Sequence, residues 1–197
     1  MPVVPQMILI CCEGKETEKL YFGILQRMFK VANISIKTFP QVGQHYQLID
    51  ECVKKKQEIA LAEGFSLDDV EVWAVCDMDA FADNFLKLKA YADDGGVNLA
   101  FSSPQFENYI LQHFGSPNNS KSRRGVVERE ITDILLSKGA GMAYNKADLS
   151  WLEDMIDQKP RIVSEAIRHA DTYSNHAKQP FFTVQRLTER ILFFRTK

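Results

Sequence analysis

Two short apolar runs, each ending in acid, do most to limit what this chain can become. Met7-Ile8-Leu9-Ile10-Cys11-Cys12 runs into Glu13-Gly14, and Val70-Glu71-Val72-Trp73-Ala74-Val75-Cys76 runs into Asp77-Met78-Asp79. Short continuous runs, rich in β-branched residues and bounded by polar or Gly positions, predict strands buried on both faces, as in parallel sheets covered by helices. A carboxylate at the C-terminal end of a parallel strand lies where α/β proteins keep their ligand sites. Glu13, Asp77 and Asp79, carried there by two neighbouring strands, repel one another unless a divalent cation sits between them. The expectation is a Mg²⁺ (or Mn²⁺) centre, and with it phosphate chemistry.

The rest of the first hundred residues fits that architecture. Thr17 to Val31 has a helical period, with Leu20, Ile24, Leu25 and Met28 on one face. Ile34 to Phe39 alternates as a strand. Gln47 to Glu63 is helical, with Leu48, Ile49, Cys52, Ile59 and Leu61 as its apolar set and Lys54-Lys55-Lys56 turned outward. A helix from about Asp83 to Ala92 ends at Asp94-Gly95-Gly96, and Val97 to Phe101 is the fourth strand. Strand–helix alternation with crossovers of this length implies a parallel sheet with right-handed connections. Beyond it the pattern is helical: Gln105–Phe114, Val126–Ser137, Leu149–Asp157, Pro160–Tyr173 and Thr183–Phe194, with a polar loop from Gly115 to Gly125. We read residues 1–114 as an α/β core and 115–197 as a helical extension packed on it, forming one structural domain overall.

Composition excludes several classes. At 197 residues with 45% hydrophobic and 25% charged side chains, the chain has the make-up of a globular protein rather than a disordered one. Its apolar runs fall far short of a membrane span. The segment Met1–Gln6 lacks a basic n-region, so no signal peptide is expected. Cys11, Cys12, Cys52 and Cys76 form no Cys-x-x-Cys pair and read as reduced core residues, which together point to the cytoplasm. The net charge of -2 offers no global pull on nucleic acid. It is unevenly spread, however: residues 1–100 carry ten basic and fifteen acidic side chains, the remainder fourteen and eleven. An acidic half joined to a mildly basic one is compatible with a phosphodiester substrate.

Each motif has a plainer reading beside the functional one. Glu13-Gly14 could be a strand end and a turn. In Lys15-Glu16-Thr17-Glu18, Thr17 or Glu16 can cap the following helix, and Glu16 and Glu18 suit the first turn, so capping is the better account of both acids. Asp77-x-Asp79 is more specific, because residues two apart at a strand end can aim both carboxylates one way. Glu107 starts a helix at the same sheet edge, as an N-terminal charge or as an additional acidic contributor. His113 reads as a buried, hydrogen-bonded residue. Lys146, in a loop between helices, is either solvated or folded back to hold a scissile phosphate. Arg123 and Arg124 are solvated loop residues or phosphate contacts. There is no Gly-x-x-x-x-Gly-Lys-Ser/Thr segment, no Gly-x-Ser-x-Gly elbow and no zinc spacing.

Taken in order, these segments resemble the RloB-like family of bacterial and archaeal proteins, part of the wider Toprim group. The resemblance rests on Glu13-Gly14-x-x-Thr17-Glu18-x-x-Tyr21-Phe22, Val72-Trp73-Ala74-Val75-Cys76-Asp77-x-Asp79, and Leu99-Ala100-Phe101-Ser102-Ser103-Pro104-x-Phe106-Glu107 with His113-Phe114. It continues through Tyr144-x-Lys146, the Ala166–Ala170 helix and Thr183-Val184-x-x-Leu187, nearly the whole chain. It implies a Toprim-like fold in which the Asp-x-Asp pair, Asp77 and Asp79, binds magnesium and Glu13 serves acid–base chemistry. It also implies a restriction-linked or phage-defence setting, often beside an ATPase. Two departures stand out. Ser102-Ser103-Pro104-Gln105-Phe106-Glu107 replaces the family's Ser-Asn-Pro-Cys-Phe-Glu, and Gln179-Pro180-Phe181-Phe182 replaces Asn-Pro-Ser-Thr.

The resulting expectation is a metal-dependent nuclease acting on DNA or RNA, with Asp77, Asp79 and Glu13 at the metal and Glu13 and Lys146 in catalysis. Its rival is a non-catalytic defence subunit that binds nucleic acid or an ATPase partner. Phe193-Phe194 could pack between copies of the chain as easily as in a core, so a homo-oligomer stays open.

Overall fold

The computed structural model describes residues 5–31, 35–77, 82–115, 124–139 and 141–195, with the backbone alone at 82–84 and 124. Its centre is a five-stranded sheet. The inner strands β1 (Met7–Cys12) and, later in the chain, β3 (Val70–Asp77) run parallel, and β2 (Ser35–Phe39) lies parallel beside β1. β4 (Asn98–Ser103) lies parallel on the other side of β3, and β5 (Phe181–Phe182) pairs antiparallel with β4. The order β2-β1-β3-β4-β5 makes this an α/β protein with a mostly parallel sheet.

The apolar runs are continuous because each strand is covered twice. Along β1, Ile8, Ile10 and Cys12 enter the core on one face, while Met7, Leu9 and Cys11 enter the core on the other. β3 divides likewise, Trp73 and Val75 against Val72, Ala74 and Cys76. Each fully buried Ile or Leu contributes roughly 1.5–3 kcal/mol, so both faces hold the register of the inner strands. The first face is covered by α1 (Thr17–Met28), and the second by α2 (His45–Glu63) and α3 (Ala82–Asp94). Onto the face of α1 pack α4 (Phe106–Leu111, continued by a 3-10 turn over Gln112–Phe114), α5 (Arg124–Ser137), α6 (Ser150–Gln158), α7 (Arg161–Asp171) and α8 (Val184–Phe193). Val127, Ile131, Leu152, Val163 and Leu187 from these later helices share one core cluster with Ile8, Ile10 and Val75.

Two details depart from the sequence reading. Leu61 is 85% exposed, although it was placed in the apolar set of α2. From Leu48 it lies thirteen residues on, which at about 100° each is three turns plus about 220°, on the far side of the helix; Ala60 takes the inner position. Phe181-Phe182 forms β5, a strand too short to show any period. Thr183 extends it, its N–H donating to the Phe101 carbonyl at 2.7 Å while its hydroxyl accepts from the Phe101 N–H and donates to the Leu99 carbonyl, each at 2.9 Å. All four cysteines are free and buried. Among the described residues, no helix is long and apolar enough to cross a membrane.

Candidate active site

The strand order reverses direction between β1 and β3. From β1 the chain crosses by α1 to β2 on one side; from β3 it crosses by α3, on the opposite face, to β4 on the other side. The connections diverge above the carboxyl ends of these two strands and leave a crevice there, the usual ligand position in an open α/β sheet. Glu13 follows β1 directly, its N–H donating to the Val75 carbonyl at 2.9 Å, and Asp77 is the last residue of β3. A cleft of about 480 Å³ opens between them, lined among others by Glu13, Glu18, Asp77, Glu107 and Lys146.

Glu13, Glu18 and Asp77 hold their protons unusually tightly. Burial, then the charge of Glu18, pushes Glu13 up to about 7, although the Asp77 N–H donates to its carboxylate. Burial, then the charges of Glu18, Glu107 and Glu13, pushes Asp77 up to about 8, against a hydrogen bond from the Phe106 N–H at the start of α4. Glu18, 5% exposed, is also raised, mainly by burial and further by Glu107; its own N–H, Lys146 and the Gly14 N–H act the other way. Gly14 makes this crowding possible, because a Cβ there would collide with the Glu18 carboxylate. The Oε2 of Glu13 is buried with no hydrogen-bond partner among the described residues.

Glu107 is held differently. It is 2% exposed, and three donors converge on its Oε1: the Lys146 ammonium at 2.8 Å, the Tyr144 hydroxyl at 3.0 Å and the Thr17 hydroxyl at 3.4 Å. Lys146 lies also 3.5 Å from Glu128 of α5. The segment between α5 and α6 therefore does fold back over the cleft. Its Tyr144 N–H is tied to the Thr132 hydroxyl at 3.0 Å, and Ala147 to the Asn145 side chain at 3.0 Å.

The donor set suits a hard divalent cation in kind and charge, being carboxylate oxygens whose mutual repulsion a cation would relieve. No three His, Cys, Asp or Glu side chains among the described residues already form a group that could hold an ion. Asp79, the second half of the Asp-x-Asp pair, lies outside the described residues, as does Arg123; Arg124 is the first residue of α5, with its side chain outside them. A larger cleft of about 670 Å³, among α5, α6 and α7, is mostly apolar, with Leu135, Met142, Trp151 and Met155 in its wall and Asp154 as its one acid. It has the volume of a ligand site without the chemistry.

Residues 8–191 match the model of the RloB-like protein family, a span that takes in every cleft residue named above. The chain belongs to the RloB-like family. No curated protein and no solved structure matches it.

In this RloB-like chain the structure brings Glu13, Asp77, Glu107 and Lys146 to one cleft, joined by Glu18 and Thr17. The last two change role relative to the sequence reading. Neither Glu16 nor Thr17 makes a side-chain cap: Glu16 occupies the cap position without such a bond, and Thr17 donates to Glu107. Glu18 lies in the first turn, as the helix dipole favours, but its carboxylate is also part of the cleft. The signal available in the sequence was Gly14, which lets a side chain four residues on fold back across the turn. His113 is buried, its ring between the Ile110 carbonyl at 3.1 Å and the Tyr21 hydroxyl at 3.3 Å, so its nitrogens are spent on structure.

Proposed function

We propose that the protein is a metal-dependent nuclease that hydrolyses phosphodiester bonds of DNA or RNA, in a phage-defence or restriction-linked setting. The observation that carries the reading is the convergence of Glu13, Glu18 and Asp77, with protons held toward neutral pH, beside the Lys146 ammonium at the carboxyl ends of β1 and β3. Glu13, Glu18 and Asp77, with Asp79, would hold Mg²⁺ or Mn²⁺. Bound there, such an ion supplies Lewis acidity toward the phosphate and lowers the pKa of a water.

The remaining work falls to the chain itself. Glu13, at the end of β1 and lining the cleft, would accept a proton from the attacking water. As the water oxygen bonds to phosphorus, the bridging P–O bond breaks and the leaving oxygen takes a proton from solvent. Lys146 faces the charge that grows on the phosphate oxygens. Exposed Lys15 at the rim meets the neighbouring backbone phosphates.

The test is incubation of the purified protein with single- and double-stranded DNA and RNA in Mg²⁺ or Mn²⁺. Cleavage should be lost in Asp77→Asn; cleavage retained in that variant would move the active site elsewhere. A second reading is a non-catalytic subunit that binds nucleic acid or an ATPase partner. It predicts binding without cleavage, alone and with the ATPase.

A further inference from the structure

Glu107 shares the cleft with the other acids but not their situation. Glu13 keeps an oxygen without a partner, whereas Oε1 of Glu107 receives a lysine ammonium and two hydroxyls. A carboxylate oxygen already taking three donors has little left for a cation, and it fixes whatever those donors belong to. The donors come from two places: Thr17 from the first turn of α1, Tyr144 and Lys146 from the segment before α6. Thr17 and Tyr144 offer neutral hydroxyls, which orient the carboxylate. Of the three donors Lys146 alone brings a positive charge to the cleft, with Glu128 3.5 Å away.

We infer that Glu107 is a positioning residue and not a metal ligand: anchored by Thr17 and Tyr144, its buried carboxylate sets the Lys146 ammonium against the phosphate that the cleft receives. The inference rests on the nuclease reading for the identity of that phosphate. It accounts for the spacing Tyr144-x-Lys146, since one tight segment must deliver the hydroxyl that orients the carboxylate and the cation the carboxylate holds. An unanchored lysine would sample many rotamers over an acidic cleft, pulled toward Glu18 and Glu13. Held at Glu107 it balances charge without occupying the centre.

Three readouts on the full chain separate the possibilities. The first is the Mg²⁺- and Mn²⁺-induced thermal shift of wild type, Glu107→Gln, Lys146→Ala and the double variant. The second is single-turnover cleavage of an oligonucleotide by the same proteins. The third is the Lys146 ammonium resonance in ¹⁵N NMR, which needs neither metal nor substrate. Glu107→Gln should keep the metal-induced shift, lose about a hundredfold in cleavage rate, and lose the slowly exchanging Lys146 signal. Lys146→Ala should lose a similar factor, and the double variant no more than either single, because the two act as one unit. Tyr144→Phe should lower the rate by a smaller factor with oligonucleotide affinity unchanged. Loss of the metal-induced shift in Glu107→Gln would make Glu107 a ligand and overturn the inference, as would multiplicative losses in the double variant or an unchanged Lys146 resonance. A wild type that binds metal but cleaves nothing, with the Lys146 signal lost in Glu107→Gln, would refute the nuclease while leaving the positioning role standing.

Discussion

Removing one charge from the crowded end of β3 should stabilise the metal-free protein, and by an amount that depends on pH. Asp77→Asn keeps the size of the side chain and a carbonyl oxygen for the Phe106 N–H, but it cannot ionise. In the wild type the Asp77 carboxyl is raised from 3.8 to about 8 by burial and by Glu18, Glu107 and Glu13. An acid raised on folding keeps its proton in the folded state after the unfolded chain has released it. The associated stability is complete below 3.8 and lost progressively as pH rises to about 8, with no further change above that. At about 1.4 kcal/mol per pH unit, the interval sets a ceiling of about 6 kcal/mol. Glu13 and Glu18 share the same repulsion and relax with it, so roughly half, about 3 kcal/mol, is the expected gain of the variant at its maximum. For a chain of this size that is roughly 6–12 °C in Tm. The assay is thermal denaturation of both proteins in EDTA across about pH 5 to 9. The Tm advantage of Asp77→Asn should widen up to about pH 8 and then level off. A pH-independent difference, or a less stable variant at about pH 8, would refute the electrostatic argument. Added Mg²⁺ should nearly close the gap, since at a hundredfold over Kd it contributes roughly 2.7 kcal/mol to a wild type that binds it.

Two further expectations follow from particular residues. Gly14→Ala drives a methyl into the Glu18 carboxylate, so it should displace that side chain and weaken the metal-induced thermal shift at least tenfold in apparent affinity, while far-ultraviolet circular dichroism stays that of wild type; an unchanged metal titration would show that Glu18 is not part of the centre. Burial holds His113 down to about 4, so its ring should stay neutral through about pH 5 to 7.5 in NMR, and its contribution to stability, complete above 6.5, should be lost progressively as pH falls from 6.5 to about 4; a titration midpoint near 6.5 would place the ring in solvent.

Local pattern carried much of this protein. The two apolar runs read as doubly covered strands, because their six (Met7–Cys12) and five (Val72–Cys76) consecutive apolar residues need cover on both faces of a sheet. The helical periods of α1 to α8 and the placing of Glu13 and Asp77 at strand ends follow from side chains a few residues apart, which is the range over which sequence period reports structure. What lay beyond that range was decided by the tertiary fold. The Thr17 hydroxyl meets Glu107 ninety positions away, and Tyr144 meets it across thirty-seven; from the sequence Thr17 was a capping candidate and Tyr144-x-Lys146 a loop. Glu18 looked like a first-turn charge and became part of the cleft, because Gly14 leaves room for its carboxylate over the turn. Phe181-Phe182 became a strand only because β4 offered it an edge. The sequence by itself determined which elements form and where the acids sit along them, since period and strand ends are local properties. Only packing decided which acids share one low-dielectric cleft and which cation balances them, because burial and charge coupling depend on distances through space and not along the chain.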